Sequence, residues 1–199
     1  MTTESQLKQV IKNVISEIEY QKTLVIHPKD TSTDFLYDIY ENHKDWNLID
    51  NCNISDEDLA NEIKQYDRII MLGHGCGVGL LNMMADHIRC VSGENHAPLL
   101  REKKNNVYIW CNSDEFVKKH NLKNCFYTGM IISETEEANM FNIKTTPYEI
   151  EESNVLFAKA IKNNIDKPVN LMYSGVISQY NTANNSDVMK FNRKNIYYN

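Results

Sequence analysis

The sequence predicts one α/β domain over residues 1–199, with a mainly parallel sheet and helices on both faces, a three-layer sandwich. Three observations carry that prediction. Short apolar runs closed by proline or glycine alternate with stretches of helical periodicity. Capping patterns mark where several of those helices begin. Helix-length connections separate successive apolar runs, which is what parallel pairing requires. A sheet of this kind collects ligands and reacting groups at the carboxyl ends of its strands, so the residues after each run are the ones to inspect.

Taken in order, the chain opens on an expected helix over 3–20. Leu7, Val10, Ile11, Val14, Ile15 and Ile18 fall on one face, and Thr3 with Gln6 has capping-box spacing. Thr23 to Pro28 is a short apolar run ended by proline and reads as a buried strand. Thr33 to His43 reads as a helix with Leu36, Ile39, Tyr40 and His43 inward, and Trp46 to Ile49 as a second strand. Ser55 and Asp58 then cap a helix that turns Leu59, Ile63 and Tyr66 to one side. Asp67 to Gly75 is a third strand.

The middle, GVGLLNMMADHIRC, reads as a glycine-rich loop running into a short apolar segment, and Ala97 to Asn106 as a helical turn or two and a polar turn. Val107 to Trp110 is a fourth strand that delivers Cys111 at its carboxyl end. Asp114 to His120 reads as a short helix and Cys125 to Ser133 as a fifth strand, with the acid-rich ETEEANMFNIKTT as a polar loop after it. Thr146, Pro147 and Glu149 supply an N-cap, a proline at N1 and a capping-box acid for a helix to about Ile165. Val169 to Ser174 is expected as a sixth strand, Asn181 to Asp187 as a surface loop, and VMKFNRKNIYY as an edge segment within 175–199. The chain shows neither an internal repeat nor a linker.

Composition removes several function classes. A chain of 199 residues with 42% hydrophobic content buries enough surface to fold without a metal or disulfide staple, and is too apolar for intrinsic disorder. Its 21 Lys and Arg against 27 Asp and Glu argue against a nucleic-acid partner. The absence of an apolar run of about 20 residues argues against a membrane partner. The first twenty residues lack the pattern of a signal peptide, so a cytoplasmic location is expected. Five cysteines without a C-x-x-C pair are then expected as free thiols. The six histidines are scattered with no metal-ligand spacing, and G-x-S-x-G of a serine hydrolase is absent.

Two strand ends carry chemistry. The third ends in Gly73-His74-Gly75-Cys76-Gly77 and the fourth in Trp110-Cys111-Asn112-Ser113. The separation is 111 − 74 = 37 residues, so neighbouring strands would bring His74 and Cys111 out side by side. A thiol beside an imidazole is a nucleophile with its general base. The amides of Gly75 and Cys111 are candidates for an oxyanion hole. Cys76, two residues from His74, is the rival nucleophile, although neighbouring side chains diverge along an extended segment.

The pieces RIIMLGHG and NVYIWC resemble the caspase-like cysteine peptidases: an apolar strand ending His-Gly, then one ending in Cys. The order of blocks is similar too, with CFYTGMIIS and the amphipathic EESNVLFAKAIKNN following, so the resemblance spans roughly 23–174. It implies a hydrolase, a thiol protease acting on a peptide or protein substrate without a cofactor. His74 would be catalytic acid or base, Cys111 the nucleophile, and Gly75 and Cys111 the oxyanion donors. It also places Glu134, Glu136 and Glu137 in the loop that shapes the substrate pocket, where acids would suit a Lys or Arg side chain. Pairing of two copies along an edge strand, a homodimer, is compatible with the same resemblance. Two departures stand out. Trp110 occupies a position that is usually Ala or Gly, and Asn112-Ser113-Asp114 replaces the usual glycine after the cysteine.

Two other classes fit the same residues. Gly73, Gly75, Gly77 and Gly79 suggest a nucleotide-binding or nucleotide-cleaving α/β protein, although neither G-x-G-x-x-G nor a P-loop occurs. A non-catalytic binding module on the same scaffold is the other, with the tyrosines of the last segment at an interface.

Overall fold

The computed structural model describes residues 4–6, 8, 9, 21–51, 53–83, 88–181 and 186–199. Of the expected helix over 3–20, residues 4–6, 8 and 9 are helical and exposed; the rest lies outside the described residues, as do Cys52 and positions 182–185 of the Asn-rich loop.

A six-stranded sheet forms the middle layer. Its strands are β1 (Thr23–Ile26), β2 (Asn47–Ile49), β3 (Arg68–Leu72), β7 (Asn106–Ile109), β8 (Cys125–Thr128) and β9 (Ile196–Tyr198). They lie in the order β2-β1-β3-β7-β8-β9. All pairs are parallel except the last, in which β9 runs antiparallel to β8. Alternate strand residues feed opposite faces, as the pleat demands. Val25, Ile70, Leu72, Val107, Ile109 and Phe126 pack beneath the 3-10 helix Thr31–Ile39 and the helices Pro147–Lys162, Val169–Gln179 and Asp187–Lys194. Leu24, Ile26, Ile69, Met71, Tyr108, Trp110 and Tyr127 pack against Asp56–Lys64, Ala97–Leu100 and Ser113–Lys119 on the other face. The expected three-layer α/β sandwich is therefore the fold.

The caps are where the sequence puts them. Ser55 accepts from the Asp58 amide, and Thr146 with Glu149 closes a full capping box with Pro147 at N1. Elsewhere the expectations need correction. Thr31–Ile39 is wound as a 3-10 helix and ends before His43. The third strand ends at Leu72 and not at Gly75, and the expected glycine-rich loop GVGLLNMMADHIRC falls within a second, antiparallel sheet of β4 (His74–Cys76), β5 (Gly79–Met83) and β6 (Ile88–Ser92). The fifth strand stops at Thr128, and the acid-rich loop contains a helix, Thr135–Met140, with Glu134 and Glu137 closing its capping box. Val169–Ser174 is not a sixth strand: Val169–Gln179 is a helix burying Val169, Met172 and Val176 at i, i+3 and i+7. Residues 175–199 are not one edge segment. They hold the end of that helix and the helix Asp187–Lys194, and only Ile196–Tyr198 joins the sheet edge. Among the described residues no helix is long and apolar enough to cross a membrane.

Candidate active site

β3 and β7 are hydrogen-bonded neighbours, in the register Ile70↔Val107, Met71↔Tyr108 and Leu72↔Ile109. Each pair is offset by 37, since 107 − 70 = 37, and the ladder ends at Leu72, after which Gly73 turns the chain and His74 enters the second sheet. His74 and Cys111 both follow the ends of these strands, on the side where Thr33, Leu36 and Phe157 of Thr31–Ile39 and Pro147–Lys162 lie. They line one pocket, together with Thr33, Leu36, Ile131, Ser133, Glu137 and Phe157.

Gly73 makes the turn into β4 at φ 132, a conformation that a side chain would strain. Gly75 has a different duty. A Cβ there would lie 2.0 Å from Trp110 Cδ1, so the main chain of β4 passes directly against the indole. Trp110 is buried, its Nε1 donates to the Cys76 carbonyl (3.1 Å), and its ring meets Tyr108 and Phe116 edge-on. The indole before Cys111 thus packs into the opposite core, although Trp110 also contributes to the pocket lining. Gly77 and Gly79 are hemmed in the same way, by Glu115 and by the Ser92 carbonyl. The glycines of 73–79 serve close packing of a β-hairpin and do not form an open amide cradle at a helix start.

Cys111 is half-buried, and its thiol donates to the Ile131 carbonyl at 3.5 Å. Burial, and then the carboxylate of Glu137, push the thiol up to about 11. Asn112 follows at φ 63, the left-handed region that Asn tolerates, and turns the chain into helix Ser113–Lys119. It does there what a glycine after the cysteine would do. The Ser113 hydroxyl then pins this exit to β8, accepting from the Thr128 amide (3.0 Å) and donating to the Thr128 carbonyl (2.6 Å).

His74 is one-quarter exposed, and its Nε2 lies 2.7 Å from Ser32 Oγ and 3.5 Å from Asp30 Oδ1. Asp30 accepts both the Ser32 hydroxyl (2.6 Å) and the Ser32 amide (2.9 Å) and so caps the 3-10 helix. Burial raises its carboxyl, but the two Ser32 hydrogen bonds and the nearby His74 outweigh that and hold it below its ordinary value. Behind this group His27 is buried between Tyr40 OH and Thr33 Oγ1, and burial lowers it to about 4. It therefore adds no positive charge near His74 at neutral pH.

Of the three acids expected near a substrate pocket, Glu137 lines the cavity that holds His74 and Cys111. Its Oε2 accepts the Ser133 and Glu134 amides, because it is the N3 residue of a capping box. Glu134 and Glu136 are exposed on the helix start. Cys76 is half-buried in β4. Asp30 and Ser32 are not among the sequence candidates; they follow β1, the sheet neighbour of β3, and an Asp-x-Ser after that strand is the signal the sequence holds. Among the described residues no group of three His, Cys, Asp or Glu side chains is placed to hold a metal ion. Neither protein-family models nor curated proteins give a match to this chain.

Proposed function

We propose that the chain is a cysteine-dependent peptidase of the caspase-like type, with Cys111 as nucleophile and His74 as acid–base. The observation that supports this reading is that His74 and Cys111 line one pocket beyond the ends of the neighbouring strands β3 and β7. The thiol is protonated at rest, so its proton passes to His74 as sulfur bonds to the peptide carbonyl carbon. The oxyanion forms beside the amides of Gly75 and Cys111. His74 then returns the proton to the leaving amine, and a thioester remains. Water, giving a proton to His74, cleaves the thioester to the free acid and regenerates the thiol. This chemistry calls for a peptide or protein substrate and needs no cofactor.

A second reading, a non-catalytic module on the same scaffold, draws support from the Cys111 thiol resting on the Ile131 carbonyl. Turnover separates the two. A fluorogenic peptide library screened with the purified chain is expected to show cleavage that Cys111→Ala and His74→Ala abolish, while Cys111→Ala shifts stability by only about 1 kcal/mol. Cleavage that survives Cys111→Ala contradicts the proposal, and absence of cleavage across the library favours the module.

A further inference from the structure

We propose that Asp30 and Ser32 form a hydrogen-bond relay that fixes His74 as the Nε2-protonated tautomer and leaves Nδ1 to take the Cys111 proton. The proton count decides the direction. A serine hydroxyl has one hydrogen and two lone pairs, and an ionised carboxylate only accepts. The Ser32 hydrogen goes to Asp30 Oδ1 at 2.6 Å. Ser32 Oγ therefore meets His74 Nε2, 2.7 Å away, with a lone pair, and the nitrogen must bring the hydrogen. In a neutral imidazole the other nitrogen is then the base.

The same arrangement serves the imidazolium. Asp30 Oδ1 lies 3.5 Å from Nε2, at ion-pair distance, with both side chains about three-quarters shielded from solvent. When His74 gains a proton at Nδ1, a negative charge is already in place on its far side. The relay also sits at the topological switch of the sheet, between the carboxyl ends of β1 and β3, where the order β2-β1-β3 turns back on itself. It is held rigidly: the Ser32 amide is fixed on Asp30 as the helix cap, and His74 leaves β3 through the constrained Gly73. Asp30 and Ser32 are thus positioning residues. Their role in turnover rests on the peptidase reading; the tautomer does not.

Nitrogen-15 NMR of the histidine side chains in the full chain tests the tautomer directly, with His74→Gln assigning the resonance. The expected result is an exchange-protected proton on Nε2 in the wild type. It should shift and lose protection in Ser32→Ala, which keeps residue 32 capped by Asp30, and be restored in Ser32→Thr. A proton on Nδ1 in the wild type overturns the proposal. So does an Nε2 proton with the same shift and exchange rate in Ser32→Ala. With a cleaved peptide in hand, Ser32→Ala and Asp30→Asn should each lower kcat about 10-fold or more at unchanged KM, and the double variant should cost no more than the larger single. Additive losses, or losses in KM alone, would count against a shared relay. A protected Nε2 proton in a chain that cleaves no peptide would leave the relay standing and remove the peptidase reading.

Discussion

Cys111 sits half in the pocket and half under its wall, and this position governs its reactivity. Burial, and then Glu137, hold the thiol protonated to about 11. Thiolate is scarce at neutral pH, so in the proposed mechanism attack needs a base at the moment of bond formation and does not draw on a standing thiolate–imidazolium pair. Iodoacetamide labelling of Cys111, followed by mass spectrometry, is expected to be slow near pH 7 and to rise towards about pH 11. Glu137→Gln removes a raising charge and should move that profile to lower pH. The linkage has a definite sign: the folded pKa lies above the unfolded value of about 8.5, so the stabilisation is complete below that pH. It is lost as pH rises through about 11. Gly75 and Trp110 make the second residue-scale case. A methyl at 75 collides with the indole, so Gly75→Ala should cost roughly 1–3 kcal/mol in urea unfolding. Combining it with Trp110→Leu should cost less than the sum, because the colliding ring is gone.

At the scale of elements, legibility followed local signals. Ser55 and Thr146 announced their helices because a side-chain cap is a local hydrogen bond. Val169–Ser174 misled because a short apolar run fits a buried strand or a buried helix equally well. The discriminating period, Val169, Met172, Val176 and Tyr180, emerges only over a longer window, and all four are buried. The hairpin after Gly73 was hidden because its glycines serve contacts distant in sequence, with Trp110, Glu115 and Ser92. The helix Thr135–Met140 has its signal in Glu134 and Glu137, whose capping-box spacing is masked by the acid-rich composition of a polar loop. His74 and Cys111 each follow a short apolar strand that is visible in the sequence; the Asp30–Ser32 partnership with His74 depends on which strands are neighbours.

One polar cluster ties the C-terminal helices to the pocket. Asn192 accepts the Ile132 amide (2.8 Å) and donates to the Ile132 carbonyl (2.8 Å), and its amide group also reaches Tyr180 OH (3.3 Å). Tyr180 OH in turn lies 2.6 Å from Ser153 Oγ. These bonds fix the backbone between Ile131 and Ser133, which walls the Cys111 pocket. Asn192→Leu strands the buried Ile132 amide and carbonyl, and should cost roughly 2 kcal/mol or more in urea unfolding. It should also speed alkylation of Cys111, since the wall loosens; unchanged labelling would show that the wall is held by other contacts.

For the whole molecule, the order β2-β1-β3-β7-β8-β9 brings three strand ends together on one rim: β1 with Asp30 and Ser32 just beyond it, β3 with His74, and β7 with Cys111. The helices on one face roof the pocket, and the small sheet β4-β5-β6 with Trp110 packs on the other. The Trp110 side chain therefore packs into the core on the face opposite the one roofed by the helices, although it directly precedes Cys111. The most direct measurement of the central claim is site mapping by mass spectrometry after reaction with peptidyl acyloxymethyl ketones, run on the wild type, His74→Ala and Cys111→Ala. Modification at Cys111 alone, saturable in peptide and lost in His74→Ala, is the result predicted. Modification that falls on Cys76 or Cys90, or that proceeds at the same rate without His74, would contradict a Cys111–His74 site.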